Sequence, residues 1–298
     1  MKQRIGIIGA GVVGTAVGVI LNAKGYEITG VYDHKTESTQ KLVERIGCPA
    51  HLDPCQVSRS ADIVFITTND TAIQEVVEIV AAGGAFRAGQ TVVHMSGAET
   101  ADILGRAREF GARALSVHPL QSFANLDGAQ ENLAGSVFSI EGDEEARATG
   151  EAIVEALGGQ YFFIAKDAKP LYHAGACVAS NYLVTLLDLG IKLLAEAGIP
   201  EDRAGQALMP LVNGTLRNIG KIGIPAALTG PIARGDIATV NKHLDRMRQM
   251  APELVQLYAV LGLYTAPLAE AKGSIRGPIR EELEEIFRRE LGRGATTS

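Results

Sequence analysis

The chain has 298 residues, 46% of them hydrophobic and 21% charged, with a formal net charge of −6. That length suits two domains, and the composition is that of an ordinary globular protein. Acids and bases are mixed without a basic stripe, aromatic residues are only 5% and Trp is absent, which argues against a nucleic-acid partner.

In chain order, Arg4 to Ile8 reads as a short buried strand, followed by a glycine-rich turn and an amphipathic helix to about Lys24. Lys2 and Arg4 ahead of the apolar run Ile5 to Leu21 superficially resemble a secretory leader, but glycines interrupt that run repeatedly. Strands are expected at Glu27 to Tyr32, Ile63 to Thr67, Gln90 to Met95, Ala112 to Val117, Ser136 to Glu141 and Tyr161 to Ile164. Helices fall between them at Lys35 to Ile46, Thr71 to Ala82, Ala101 to Phe110 and Glu144 to Leu157. This alternation predicts an α/β fold: a doubly wound, mostly parallel Rossmann sheet over residues 1–166.

From Asp167 onward only helical periodicity remains, which predicts an all-helical second domain over 167–298. Ala168 to Ala197 is apolar on more than one side, as a central helix buried by others would be. Further helices are expected from Pro200 and Glu201, over Ala204 to Ile219, and at Ile237 to Met250, Pro252 to Leu261 and Gly277 to Leu291. A loop spans Gly220 to Pro231, and Gly292 to Ser298 reads as a frayed tail. No other stretch has about 18 uninterrupted apolar residues, so no membrane span is expected. Cys48, Cys55 and Cys177 match neither a disulfide framework nor a zinc pattern; they read as reduced thiols of a cytoplasmic protein without a metal site.

Gly9-Ala10-Gly11-Val12-Val13-Gly14 fits G-x-G-x-x-G, between an apolar strand and a helix, the context that gives the pattern meaning. Gly9 permits a tight turn, Gly11 lets the backbone approach a pyrophosphate, and Gly14 lets helix and strand pack closely. The helix start offers free N–H groups to phosphate. Asp33 ends the second strand, where a carboxylate bonds ribose hydroxyls and favours NAD. His34 and Lys35 follow and suit a 2′-phosphate, so either NAD or NADP is open, with a lean to NAD. Ligands of such sheets bind beyond the carboxyl ends of the strands. Thr67, Thr68 and Asn69, Ser96 and Gly97, and His118 stand there; the first five are candidate cofactor contacts and His118 a substrate contact, unless they serve only turns.

Lys169, His173, Ser180, Asn181 and Asp188 fall within about a third of one helix circumference at roughly 100° per residue. A polar stripe on an apolar helix must meet water, other polar groups or a ligand. His173 suits protonation of an oxygen after hydride transfer to a carbonyl, and Asn181 suits orientation of the substrate; alternatively the two satisfy each other in a core. Arg234 suits a bidentate clamp on a carboxylate, and Asp236 a helix cap.

Ser116-Val117-His118-Pro119-Leu120-Gln121-Ser122-Phe123, His173-Ala174-Gly175 with Ala179-Ser180-Asn181-Tyr182-Leu183, and Leu228-Thr229-Gly230-Pro231 with Arg234-Gly235-Asp236 carry a resemblance across nearly the whole chain. It resembles the 6-phosphogluconate-dehydrogenase-like superfamily and, more closely, Rossmann-like proteins with a C-terminal domain of unknown function. A more distant resemblance is to ketopantoate reductases, in which a catalytic Lys is followed by Asn four and eight residues later. His173 stands at that Lys, Cys177 at the first Asn and Asn181 at the second, with Lys169 one turn earlier as a substitute and Asp236 at the late carboxylate.

The expectation is therefore a reductase using NAD or NADP on a small 2-oxo acid, a carboxylate substrate. His173, Asn181 and Lys169 are its catalytic candidates, and His118, Ser180, Arg234 and Asp236 its substrate contacts. Imine reduction of the pyrroline-5-carboxylate kind, or dinucleotide sensing without catalysis, are the alternatives. A homodimer is expected through the apolar segment Leu254 to Leu268, unless that segment closes the chain's own core.

Overall fold

The computed structural model describes residues 2–123 and 125–294. The chain divides into two compact units, Met1–Ser180 and Asn181–Ser298. The first unit runs β1 (Ile5–Ile8), α1 (Val12–Ala23), β2 (Ile28–Tyr32), α2 (Thr36–Ile46), α3 (Pro54–Ser60), β3 (Ile63–Ile66), α4 (Asp70–Ala82), β4 (Thr91–His94), α5 (Gly105–Arg108) and β5 (Arg113–Pro119). It continues with α6 (Leu126–Leu133), β6 (Val137–Gly142), α7 (Arg147–Ala156), β7 (Gln160–Phe163) and α8 (Lys169–Ala179). The sheet order is β2-β1-β3-β4-β5-β6-β7. All neighbouring strands pair in parallel except β5 and β6.

Side chains alternate across a strand, and here both faces are buried. Ile5, Ile7, Ile63, Phe65, Val93, Leu115 and Val117 join one core cluster with Ala16, Val17 and Leu21 of α1 and Ile153 of α7. Ile8, Val64, Ile66, Val92 and Ala114 join the other, with Val57 of α3 and Ile73 and Val77 of α4. Each fully buried Val, Leu, Ile or Phe among them contributes about 1.5–3 kcal/mol. The chain leaves β1 for one side of the sheet and reaches β3 on the other, so the carboxyl ends of β1 and β3 flank the topological switch point.

Two helices of this unit were not anticipated. Helix α3 starts on a capping pattern: Asp53 accepts from Gln56 N at 3.0 Å and Pro54 occupies the first turn. Asn125 caps α6 in the same way, accepting from Gly128 N at 2.8 Å. The helix expected over Ala101 to Phe110 is a 3-10 turn, Ala101–Leu104, followed by the single turn of α5.

The second unit comprises α9 (Asn181–Glu196), α10 (Glu201–Ile222), the one-turn α11 (Pro231–Arg234), α12 (Ile237–Met250), α13 (Val255–Ala271) and α14 (Gly277–Gly294). Its core is formed by Val240 and Leu244 of α12, Val255 and Ala259 of α13, and Leu283 and Phe287 of α14. Gly262 admits the Phe287 ring; a Cβ there would lie 2.4 Å from it. Part of the segment Leu254 to Leu268 thus closes the unit's own core, although Tyr264 is exposed.

Several expectations need correction. The single helix over Ala168 to Ala197 breaks at Ser180, whose φ −111° and ψ −66° depart from helix. Nor is it buried: Lys169 alone is buried in α8 and Leu189 alone in α9, while Leu171 and Val184 are exposed. The units divide after Ser180, not after 166, because Lys169 ties α8 to the sheet. Helix α14 runs to Gly294, so 292–294 do not fray; 295–298 lie outside the described residues. Lys166–Glu196 and Pro252–Ala271 are long and apolar enough, by length and composition alone, to cross a membrane. The former is broken at Ser180, and the latter supplies Val255, Ala259, Ala266 and Ala269 to the helical core.

Candidate active site at the carboxyl ends of the sheet

The glycine turn is held from three sides. Gly9 takes φ +102°, the left-handed region that favours glycine, and its N–H donates to Tyr32 O at 2.8 Å. Thr67 Oγ1 donates to Gly9 O at 2.6 Å. Ala10 N donates to Asp33 Oδ2 at 2.7 Å, and the other carboxylate oxygen accepts from Lys35 N at 2.8 Å. Gly14 faces the turn so closely that a Cβ would lie 2.0 Å from Gly9 O. By contrast, a Cβ on Gly11, the N-cap of α1, would meet nothing within 4 Å. Val12 and Val13 pack their side chains on the core, leaving the N–H groups of the first turn without helical partners.

A cleft of about 570 Å³ adjoins this turn, lined by Gly9, Gly11, Asp33, His34, Lys35 and Thr68 among others. Asn69, the N-cap of α4, also lines it. Thr68 Oγ1 is buried without a hydrogen-bond partner among the described residues. An open glycine, free helix-start N–H groups, an orphaned hydroxyl and a cleft of this size fit a dinucleotide.

A second cluster occupies the ends of β4 and β5, where α8 packs. His118 Nδ1 lies 2.8 Å from the Tyr172 hydroxyl. The His118 and His173 rings meet edge to face at 6.2 Å between centroids. Gly97 sits between them: a Cβ there would lie 2.6 Å from His173 Cδ2 and 2.7 Å from His118 Nε2. Cys177 Sγ is 4.0 Å from both nitrogens of His173. Lys169 is fully buried, and its ammonium donates to Ser96 O at 3.0 Å and to the Ser116 hydroxyl. Burial, then the Lys169 charge, push His118 down to about 4 and His94 down to about 3. Burial pushes Lys169 down to about 8.

The structure sorts the remaining candidates. Ser96 Oγ accepts from Ala98 N at 3.2 Å and Glu99 N at 3.0 Å, which is turn chemistry. Lys169 is sealed from solvent, so it is not a proton donor to a bound substrate in this conformation. Ser180 and Asn181 lie at the helix break, so the expected stripe is not one face of one helix. Asp188 pairs with Lys192 at 2.7 Å. Arg234 ends α11 and is exposed. Asp236 caps α12, accepting from Thr239 N at 3.0 Å and from Thr239 Oγ1 at 2.7 Å, and these bonds hold its carboxyl below the usual range. The helix cap expected at Asp236 is thus present, and its carboxylate is engaged there rather than with a substrate. Tyr172, Ser116 and His94 were missed: a tyrosine in an apolar helix and polar residues inside strands read as packing until neighbours are known. The adjacency of Tyr172 to His173, one helical turn after Lys169, was the available signal.

Family models match both parts of the chain: the Rossmann-like domain over residues 1–119 and the domain of unknown function DUF2520 over 136–265. No curated protein matches. Among solved structures, a candidate NADP oxidoreductase from Bacteroides fragilis is similar at TM-score 0.71 and 22% identity, over 89% of this chain and 98% of that one. A protein from Thermotoga maritima is similar at TM-score 0.70 and 26% identity, over 90% and 99%. A pyrroline-5-carboxylate reductase from Coxiella burnetii is similar at TM-score 0.58 and 15% identity, over 97% and 99%. The chain is therefore a Rossmann-like protein that carries a C-terminal DUF2520 domain.

Proposed function

We propose that this protein is a nicotinamide-dinucleotide-dependent reductase acting on a small carbonyl compound that carries a carboxylate, a 2-oxo acid. The observation that carries the cofactor assignment is the cradle at Gly9 to Gly14, open at Gly11 and adjoining a cleft with an unpartnered Thr68 hydroxyl. When bound, the dinucleotide supplies a hydride to the substrate carbon. His173 protonates the oxygen left negative by that transfer. The buried Lys169 charge makes the strand ends electropositive, which stabilises a developing alkoxide and disfavours a protonated imine. Asn181 and Arg234 have the chemistry to orient the carbonyl and clamp the carboxylate, which Asn181→Ala and Arg234→Ala test one at a time.

NADPH is the proposed coenzyme, against the lean to NAD. Both Asp33 oxygens already accept backbone N–H groups, and the exposed His34, with Lys35 and Ser38, offers donors for a 2′-phosphate. The relative described as an NADP oxidoreductase supports the same choice. A second reading, reduction of a cyclic imine bearing a carboxylate, is favoured by the likeness to a pyrroline-5-carboxylate reductase.

The test is NADPH and NADH oxidation with 2-oxo acids, ketopantoate included, and cyclic imines, comparing wild type with His173→Ala. Turnover of a 2-oxo acid that collapses in His173→Ala is expected. Turnover of imines alone would replace the first reading with the second. Tight coenzyme binding with no turnover of anything would leave a dinucleotide sensor.

A homodimer is also proposed. Tyr182 and Val184 on α9 and Leu211 and Ile222 on α10 are exposed apolar side chains, and each helix buries only one residue. A second copy offers the same face in return, as a two-fold interface requires. Sedimentation showing a monomer at every concentration would refute it.

A further inference from the structure

Beneath the ends of β4 and β5 lies a buried cation that the proton transfer from His173 does not use. Lys169 is 0% exposed, and its ammonium meets a carbonyl and a hydroxyl rather than a carboxylate. It takes part in no ion pair among the described residues. The nearby acid Glu141 is engaged elsewhere, accepting from Ala101 N at 2.7 Å. An unpaired buried charge is costly, and an apolar side chain of similar length would avoid that cost. Whatever keeps a charge here has to be sought among the groups around it.

Those groups are histidines. His94 on β4 is fully buried and wired at both nitrogens: Nδ1 accepts from Ser96 N at 3.2 Å, and Nε2 donates to Thr100 O at 3.1 Å. That leaves only the neutral ring. His118 on β5 has Nδ1 at 2.8 Å from the Tyr172 hydroxyl, and its Nε2 lies against Gly97, where a Cβ would stand 2.7 Å away. Its charged or titratable neighbours are Lys169, Tyr172 and His173 from α8 and His94 from β4; Glu141, Asp70 and Glu99 act on Lys169 in the opposite sense.

We propose that Lys169 is a positioning residue for His118: it ties α8 to the ends of β4 and β5, which sets Tyr172 against His118 so that Nδ1 accepts the Tyr172 hydroxyl and Nε2–H is the donor that polarises the substrate oxygen. A neutral imidazole serves as such a donor where an imidazolium would simply surrender its proton. Tyr172 fixes the tautomer, because the nitrogen that accepts its hydroxyl has no proton of its own. Gly97, without a side chain, lets both histidine rings approach the end of β4. His173 remains the acid, and His118 a hydrogen-bonding electrophile at the same oxygen. The proposal rests on the reading that this end of the sheet binds the reacting group.

The experiment needs no substrate, so its failure is distinct from failure of the proposed reaction. Nitrogen-15 spectra of the histidine side chains of the full chain report tautomer and titration directly. In wild type at neutral pH, His118 is expected neutral, with Nδ1 bare and Nε2 protonated. In Lys169→Met, which unties α8 from the strand ends, the His118 tautomer is expected to become mixed. In Tyr172→Phe the fold is retained and the His118 tautomer becomes mixed. A protonated Nδ1 in wild type, or a tautomer unchanged in Lys169→Met, overturns the proposal. Should Lys169→Met fail to fold, the wild-type tautomer and Tyr172→Phe still decide: an unchanged tautomer in Tyr172→Phe is equally fatal. Once a substrate is known, Tyr172→Phe should lower kcat with little change in KM.

Discussion

Replacing Gly11 by alanine separates binding from folding. A Cβ there meets no atom within 4 Å, and φ −69° with ψ −165° is open to any residue. The substitution removes glycine's extra freedom from the unfolded chain, a gain of about 0.4–1 kcal/mol. Alanine is a poorer helix N-cap than glycine, a loss of about 0.5–1 kcal/mol. The two nearly cancel, so stability of the free protein should stay within about 1 kcal/mol of wild type. Binding is different, because the methyl group stands where a pyrophosphate must approach the first-turn N–H groups. Losing one charge-assisted hydrogen bond costs about 1.5–3 kcal/mol, which is roughly a 10- to 100-fold weaker complex. Gly14→Ala is the control of opposite character: its Cβ would lie 2.0 Å from Gly9 O and 2.4 Å from Thr67 Oγ1, so the protein itself should lose about 1–3 kcal/mol or more. Urea unfolding of the free proteins and calorimetric titration with NADPH measure both quantities. If Gly11→Ala binds NADPH as tightly as wild type, the cradle does not hold the phosphates and the coenzyme assignment falls.

Stability should also depend on pH in two windows. His94 and His118, pushed down to about 3 and about 4, refuse protons that the unfolded chain accepts near 6.5; stability is complete above that value and declines as pH falls through 6.5 towards 4. For His118 the loss amounts to about 3 kcal/mol, and urea midpoints that stay constant from pH 7 to 4 would contradict it. Lys169, pushed down to about 8 from 10.5, acts in the alkaline range: the unfolded chain holds the extra proton there, so this residue makes stability rise between those values, a rise that Lys169→Met should abolish. Asp33→Asn replaces one of the two oxygens that accept from Ala10 N and Lys35 N by a donor, so the glycine turn should lose about 1–3 kcal/mol, read by urea unfolding.

Much of the Rossmann half was legible because its signals are local. The run from Ile5 to Ile8, the glycine turn and the apolar α1 announce strand, turn and helix within twenty or so residues, and each of the strands expected in this half is present. Helix α3 was legible too, in Asp53-Pro54 with Gln56, but a short capped helix carries too little hydrophobic period to stand out. The polar stripe on the long helix assumed one continuous helix, whereas α8 ends at Ala179 and α9 begins at Asn181, so Lys169 and His173 belong to one helix and Asn181 and Asp188 to another.

The amino-acid order by itself determined the glycine turn, because backbone conformation at Gly9 and close approach at Gly14 depend on the absence of a side chain, whatever surrounds them. It also determined the alternation of strands and helices and the change to an all-helical second unit, since side-chain period follows from backbone geometry. Only the tertiary structure decided that Lys169 is buried and that Tyr172 meets His118. These depend on which strand lies beside which, and so on contacts between residues as far apart in the chain as Ser96, Ser116 and Lys169. Burial and the charges of such neighbours set the protonation of His118, and neither is written in any local pattern.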